Sequence, residues 1–177
     1  MGLSLTNLDD KTRRFMVEEI EMDIASGNLY FSKRFTEGGR AAYPSLLREA
    51  AQSQTDDWLA AQIQARGLLV QREQKHKPKG GYTWVDVPYN AHETYAEGEF
   101  NRFYARGLCR RAIDEGIAEL VIYRAKEVVQ PRSASFAKIG TKIKAEALLQ
   151  DLRTHPGVDT ALGLPSGPNS GLSVRLP

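Results

Sequence analysis

Residues 90–116, NAHETYAEGEFNRFYARGLCRRAIDEG, form the longest stretch of this chain with a helical repeat. The rest of the fold depends on which of its faces is covered. At about 100° per residue, Phe100, Phe103, Tyr104, Gly107, Leu108 and Ala112 share one broad face, while Arg102, Arg106 and Arg110 gather on the opposite side. The core face and an arginine stripe therefore read as separate surfaces, with the stripe turned to solvent or to a partner. Gly98 and Gly107 each cost a helix about 1 kcal/mol relative to Ala, which implies a close backbone approach or a bend. Gly116 ends the helix.

Working toward the N-terminus, residues 82–87 (YTWVDV) and 68–73 read as two strands around the basic tip KHKPKGG. Tyr82, Trp84 and Asp86 share one face of that hairpin, and Thr83, Val85 and Val87 the other. Before it, Pro44 suits the first turn of a helix over 44–52, and Thr55 caps a second over 56–66 that Gly67 stops. Residues 37–39 (EGG) read as a turn. Residues 9–26 carry Met16, Ile20 and Ile24 at helical spacing, with Asn7 or Thr6 as cap and Gly27 as the left-handed stop. Toward the C-terminus, 119–123 reads as a compact strand and 143–154 as a helix through Leu148, Leu149 and Leu152.

A length of 177 residues suits one domain with generous arms. Composition, 41% hydrophobic and 26% charged, excludes a chain disordered or fibrous through most of its length. The single cysteine, Cys109, cannot form an internal disulfide, and His76, His92 and His155 lack metal-finger spacing. No run approaches the roughly 20 apolar residues of a membrane span, and the first residues lack the order of a secretory signal. A cytoplasmic protein, or one within a particle assembled there, is expected, with no membrane partner. Gly2 followed by a hydroxyl residue fits the short myristoylation pattern, which recurs by chance in many chains.

The net charge of +2 conceals an alternation along the chain. Residues 1–29 carry −3, 30–65 zero, 66–81 +4, 82–101 −4, 102–126 +3 and 127–177 +2. Such blocks suit surfaces that meet copies of themselves or other assembly subunits, and equally suit a mixed soluble surface. The last 21 residues contain four Gly and three Pro yet retain Val158, Leu162, Leu164, Leu172, Val174 and Leu176. These aliphatic side chains imply an extended arm packed on another surface.

Candidates for chemistry are few. His92, Glu93, Glu97 and Glu99 are the densest acid-base or metal-type cluster, but the second histidine of a zinc helix is absent, and acids in early helical turns are favoured by the dipole. Cys109 between Leu108 and Arg110 reads as packed rather than nucleophilic. Ser133 and Ser135, near Arg132, Lys138 and Lys142, have the residue types to grip a phosphate, but lack the glycine cradle of a nucleotide loop.

Across residues 44–88, two short helices followed by a basic hairpin resemble the order of a winged-helix domain. The resemblance implies a second helix in the major groove, with Lys75, Lys77 and Lys79 on the wing near phosphates or the minor groove. Asp56 and Asp57 depart from it, standing where base edges and phosphates would be met.

The expected architecture is α+β, with about five helices around a small, mainly antiparallel sheet (68–73, 82–87, 119–123). A projecting hairpin and an extended C-terminal arm complete it: residues 1–154 form one domain and 155–177 the arm. The expected function is a non-catalytic structural subunit of a larger homo-oligomeric assembly, of bacteriophage-virion type. It would be joined through the stripe (Arg102, Arg106, Arg110), the hairpin (Lys75, Lys77, Lys79) and the arm (Leu162, Leu164, Leu172, Val174). No cofactor, metal or catalytic residue is expected. A winged-helix-like DNA-binding protein is the alternative, so nucleic acid stands as a second partner class.

Overall fold

A computed structural model describes residues 2–127, 133–156 and 170–177. Helix α1 (Asp10–Ser26) opens on Asp9, whose extended backbone lets its carboxylate accept the Thr12 N–H at 3.1 Å. Asp9 therefore caps the helix, rather than Asn7 or Thr6. Gly27 closes it at φ 72°, as expected.

Helix α2 (Glu37–Ser53) begins seven residues before Pro44, where a turn had been expected. Thr36 accepts the Gly39 N–H at 2.9 Å and so starts the helix. Gly39 serves an approach rather than a turn, because a Cβ there would stand 2.3 Å from the Leu68 carbonyl oxygen. Pro44 then sits inside the helix and forgoes one backbone bond. At the far end, Arg13 of α1 donates to the carbonyls of Ala50, Ala51 and Gln54 at 3.0–3.2 Å, satisfying acceptors that the last turn leaves open. Helix α3 (Asp56–Ala65) is capped by Thr55, as its sequence indicated.

Strands β1 (Arg72–His76) and β2 (Tyr82–Asp86) form an antiparallel hairpin in the register Arg72↔Asp86 to His76↔Tyr82. Its five-residue tip closes through the Lys77 N–H to the Gly81 carbonyl, with Gly80 and Gly81 at positive φ. Helix α4 (Ala91–Asp114) is the central element and packs against α1, α2, α3 and the later helix α6 (Ala145–Thr154). Phe100, Phe103, Tyr104 and Leu108 point into the core with Met16, Ile20, Leu59 and Ile63. Gly107 permits the α1 crossing: a Cβ there would be 2.7 Å from Met16 Cγ and 2.9 Å from its backbone nitrogen.

The single expected sheet is two sheets. Strand β3 (Glu119–Arg124) lies between β4 (Lys142–Lys144) and β5 (Leu172–Arg175), antiparallel to both, and does not join the hairpin. The short helix α5 (Ser133–Lys138) occupies a stretch expected to be a loop, β4 takes the first two residues of the helix expected over 143–154, and β5 comes from the stretch expected to be an arm. The α+β class itself is the observed one, with six helices and two small antiparallel sheets among the described residues.

Candidate nucleic-acid interface

The arginine stripe is not a surface. Arg106 is 1% exposed and bonds Glu19 of α1 and Asp23, with closest N···O distances of 2.8 and 2.6 Å. Its guanidinium also lies 4.8 Å from the Phe103 ring centroid. Arg110 reaches Glu18 and Glu19 at 2.9 and 3.0 Å, and Arg153 of α6 makes a paired contact to the same Glu19 carboxylate. Arg102 is buried too, donating to the Leu152 and His155 carbonyls at 2.8 and 3.1 Å. Burial alone would raise the Glu19 pKa, but the bonds from Arg153, Arg110 and Arg106 outweigh it and hold the carboxyl down at about 2. The expectation of a solvent-facing stripe is thus corrected: α1 covers that side of α4 with carboxylates at matching helical spacing.

The other expected groups are also engaged internally. Leu172 and Val174 are buried in β5, within the chain's own sheet, and Asn101 donates to the Leu172 carbonyl at 2.8 Å. Leu162 and Leu164 lie outside the described residues. Glu97 pairs with Lys126, Glu99 is buried beside Arg102, and His92 faces Glu93 at 3.9 Å, so the acidic cluster is dispersed. Among the described residues no group of side chains is arranged to hold a metal ion. Cys109 is fully buried, and burial raises its thiol pKa, which suppresses the thiolate. Ser135 is buried in α5, and Arg132 lies outside the described residues.

The first turn of helix α3 is bonded to the residues that begin the described chain. Asp57 accepts the Gly2 N–H at 2.7 Å and Asp56 the Leu3 N–H at 2.9 Å, so the chain's own beginning covers that end. Its opposite face packs against α4. Residues 2 and 3 thus occupy part of the first turn that the winged-helix resemblance would place in the major groove.

The hairpin remains, and it is built differently from the rest of the molecule. Its root is fixed: Arg34 grips Glu73 through two donors, Lys33 approaches the same carboxylate at 3.7 Å, and Val70 donates to the Arg34 carbonyl. Beyond the root the strands hold mainly to one another. The alternation of a strand places Arg72, Gln74 and His76 on one face with their register partners Asp86, Trp84 and Tyr82. On that face Tyr82 is 65% and Trp84 57% exposed, and Tyr89 just beyond β2 is 91% exposed. The His76 ring meets Tyr82 edge-on at 5.3 Å.

Charge sets the hairpin apart as well. Most arginines of the body are consumed by named carboxylates or carbonyls, whereas Lys75, Lys77 and Lys79 are exposed and none makes an ion pair among the described residues. Lys75 shares the face of Glu73 and Thr83, and Lys77 and Lys79 stand on the tip. The positions of the three lysines were legible from the sequence, but the exposure of Tyr82 and Trp84 was not, since either face of a hairpin can be the covered one. Among the described residues no helix is long and apolar enough to cross a membrane. Compared with known families, with curated proteins and with solved structures, the chain gives no match.

Proposed function

We propose that this chain is a non-catalytic nucleic-acid-binding protein whose contact element is the β1–β2 hairpin. The observation that carries the reading is a rooted ribbon with exposed, unpaired Lys77 and Lys79 at its tip and exposed Tyr82 and Trp84 on one face, with Lys75 on the other face. Phosphate contacts need unpaired cations in a compact patch, and bases add affinity through ring contact. In the body most arginines already meet carboxylates or backbone carbonyl oxygens, Arg40, Arg66 and Arg175 being exceptions among the described residues. The structural-subunit reading drew on the arginine stripe and the arm, of which Arg102, Arg106, Leu172 and Val174 are buried within the chain, and the hairpin is the most exposed element left to serve it. Of the DNA-binding alternative, this proposal keeps the wing as the contact and not the second helix.

Binding of labelled nucleic acid to the full chain across a salt series tests this. Affinity should fall linearly on logarithmic axes as salt rises, and the triple substitution K75A/K77A/K79A should flatten the slope by about 0.7 to 0.9 for each contact removed. Absence of salt-dependent binding, or an unchanged slope in the triple variant, would sink the proposal.

A further inference from the structure

We infer that the hairpin takes single-stranded nucleic acid, with bases stacked on Tyr82 and Trp84; this rests on the nucleic-acid reading above. Tyr82 and Trp84 are two residues apart on one face of β2, which sets their positions about 6.8 Å apart along the strand. Bases within a duplex repeat at about 3.4 Å and offer their edges to a groove, with their faces already covered by neighbours. Two rings at twice that spacing match bases that have been separated from one another, which a single strand permits at low cost. A duplex would leave both rings in water or require two unstacking events.

The surroundings of the rings agree with this occupant. Gln74 stands opposite Trp84 and His76 opposite Tyr82, so each ring has a hydrogen-bonding side chain beside it for the edge of a stacked base. Asp86 is the one carboxylate on this face, and it lies at the root, 3.4 Å from Arg72, away from the tip lysines. A strand crossing the face from root to tip meets first the rings and then Lys77 and Lys79. Gln74 and His76 can each donate or accept, so they do not fix which base is held, and the chemistry is that of a sequence-tolerant single-strand contact.

The test uses anisotropy of labelled oligothymidylate, oligouridylate and a mixed duplex of the same length, each titrated with the full chain and its variants. Both single strands should bind, and the duplex should bind about tenfold or more weakly; preference between the two single strands assigns DNA or RNA as the source. Tyr82→Ala and Trp84→Ala should each weaken single-strand binding about tenfold, while Trp84→Phe, which keeps a ring, should retain most of it. Both positions are exposed, so circular dichroism should stay unchanged. Duplex binding equal to or tighter than single-strand binding, or indifference to the ring substitutions, overturns this inference and leaves the nucleic-acid reading standing. Failure of all three probes to bind overturns both and points to a protein partner for the hairpin.

Discussion

Arg106 and Glu19 face each other at 2.8 Å between α4 and α1, with side chains 1% and 0% exposed. Arg153 and Arg110 converge on the same carboxylate, and Asp23 completes the shell of Arg106. Removing the guanidinium leaves a buried carboxylate short of one partner. Arg106→Ala should therefore lower unfolding stability by about 3 to 5 kcal/mol. Arg110→Ala, at a half-buried position, should cost much less. Urea unfolding of both variants, with Glu19→Gln to close a double-mutant cycle, measures the coupling. A loss below about 0.5 kcal/mol for Arg106→Ala would restore the solvent-facing stripe.

Two buried carboxyls push stability in opposite directions as pH changes. Glu19 is held down at about 2 from its ordinary 4.5, so its contribution is present above 4.5 and is lost as pH falls through about 2. Glu99 is pushed up to about 7, because burial outweighs its contact with Arg102. Its ionisation opposes folding, so stability should decline as pH rises from about 4.5 to about 7 and then level off. Melting temperatures of parent and Glu99→Gln across this range check the sign. The parent should slope downward relative to the variant, and parallel curves would refute the assignment.

Gly107 sets helix propensity against packing. Propensity alone says that Gly107→Ala should gain about 1 kcal/mol. The α1 backbone forbids it, since the added Cβ would lie 2.9 Å from the Met16 nitrogen and 3.0 Å from the Thr12 carbonyl oxygen. A net loss of about 1 to 3 kcal/mol is expected in chemical denaturation. A stabilised variant would mean that the two helices do not cross this closely.

Leu172 tests where the C-terminal aliphatic residues belong. It is buried in β5 against the main core cluster, in register with Arg124 of β3. Leu172→Ala should cost about 2 to 5 kcal/mol of unfolding free energy. Sedimentation of the folded variant should match that of the parent. A stable variant with altered association would instead assign this residue to contacts between chains.

Local chemistry was readable wherever a residue acts on its own backbone neighbours. Gly27 and Gly116 stop helices at positive φ, Thr55 caps α3, and the glycines after KHKPK close the hairpin. The apolar side of α4 was readable for the same reason, because helical geometry alone brings Phe100, Phe103, Tyr104 and Leu108 together. What a face meets is decided at a distance. The angular position of Arg106 is a property of one helix, but its burial requires Glu19 and Asp23 to arrive from α1, more than eighty residues away in sequence. The acidic block of residues 1–29 and the basic block of 102–126 carried that complementarity in advance, although charge counts cannot say whether two blocks meet within one chain or between chains. Strand β3 likewise pairs with β5 through contacts of high sequence separation that no local pattern encodes. The hairpin lysines follow the same rule in reverse. Their spacing is local, yet their freedom from acidic partners, and the exposure of Tyr82 and Trp84 beside them, are settled only by which elements pack nearby.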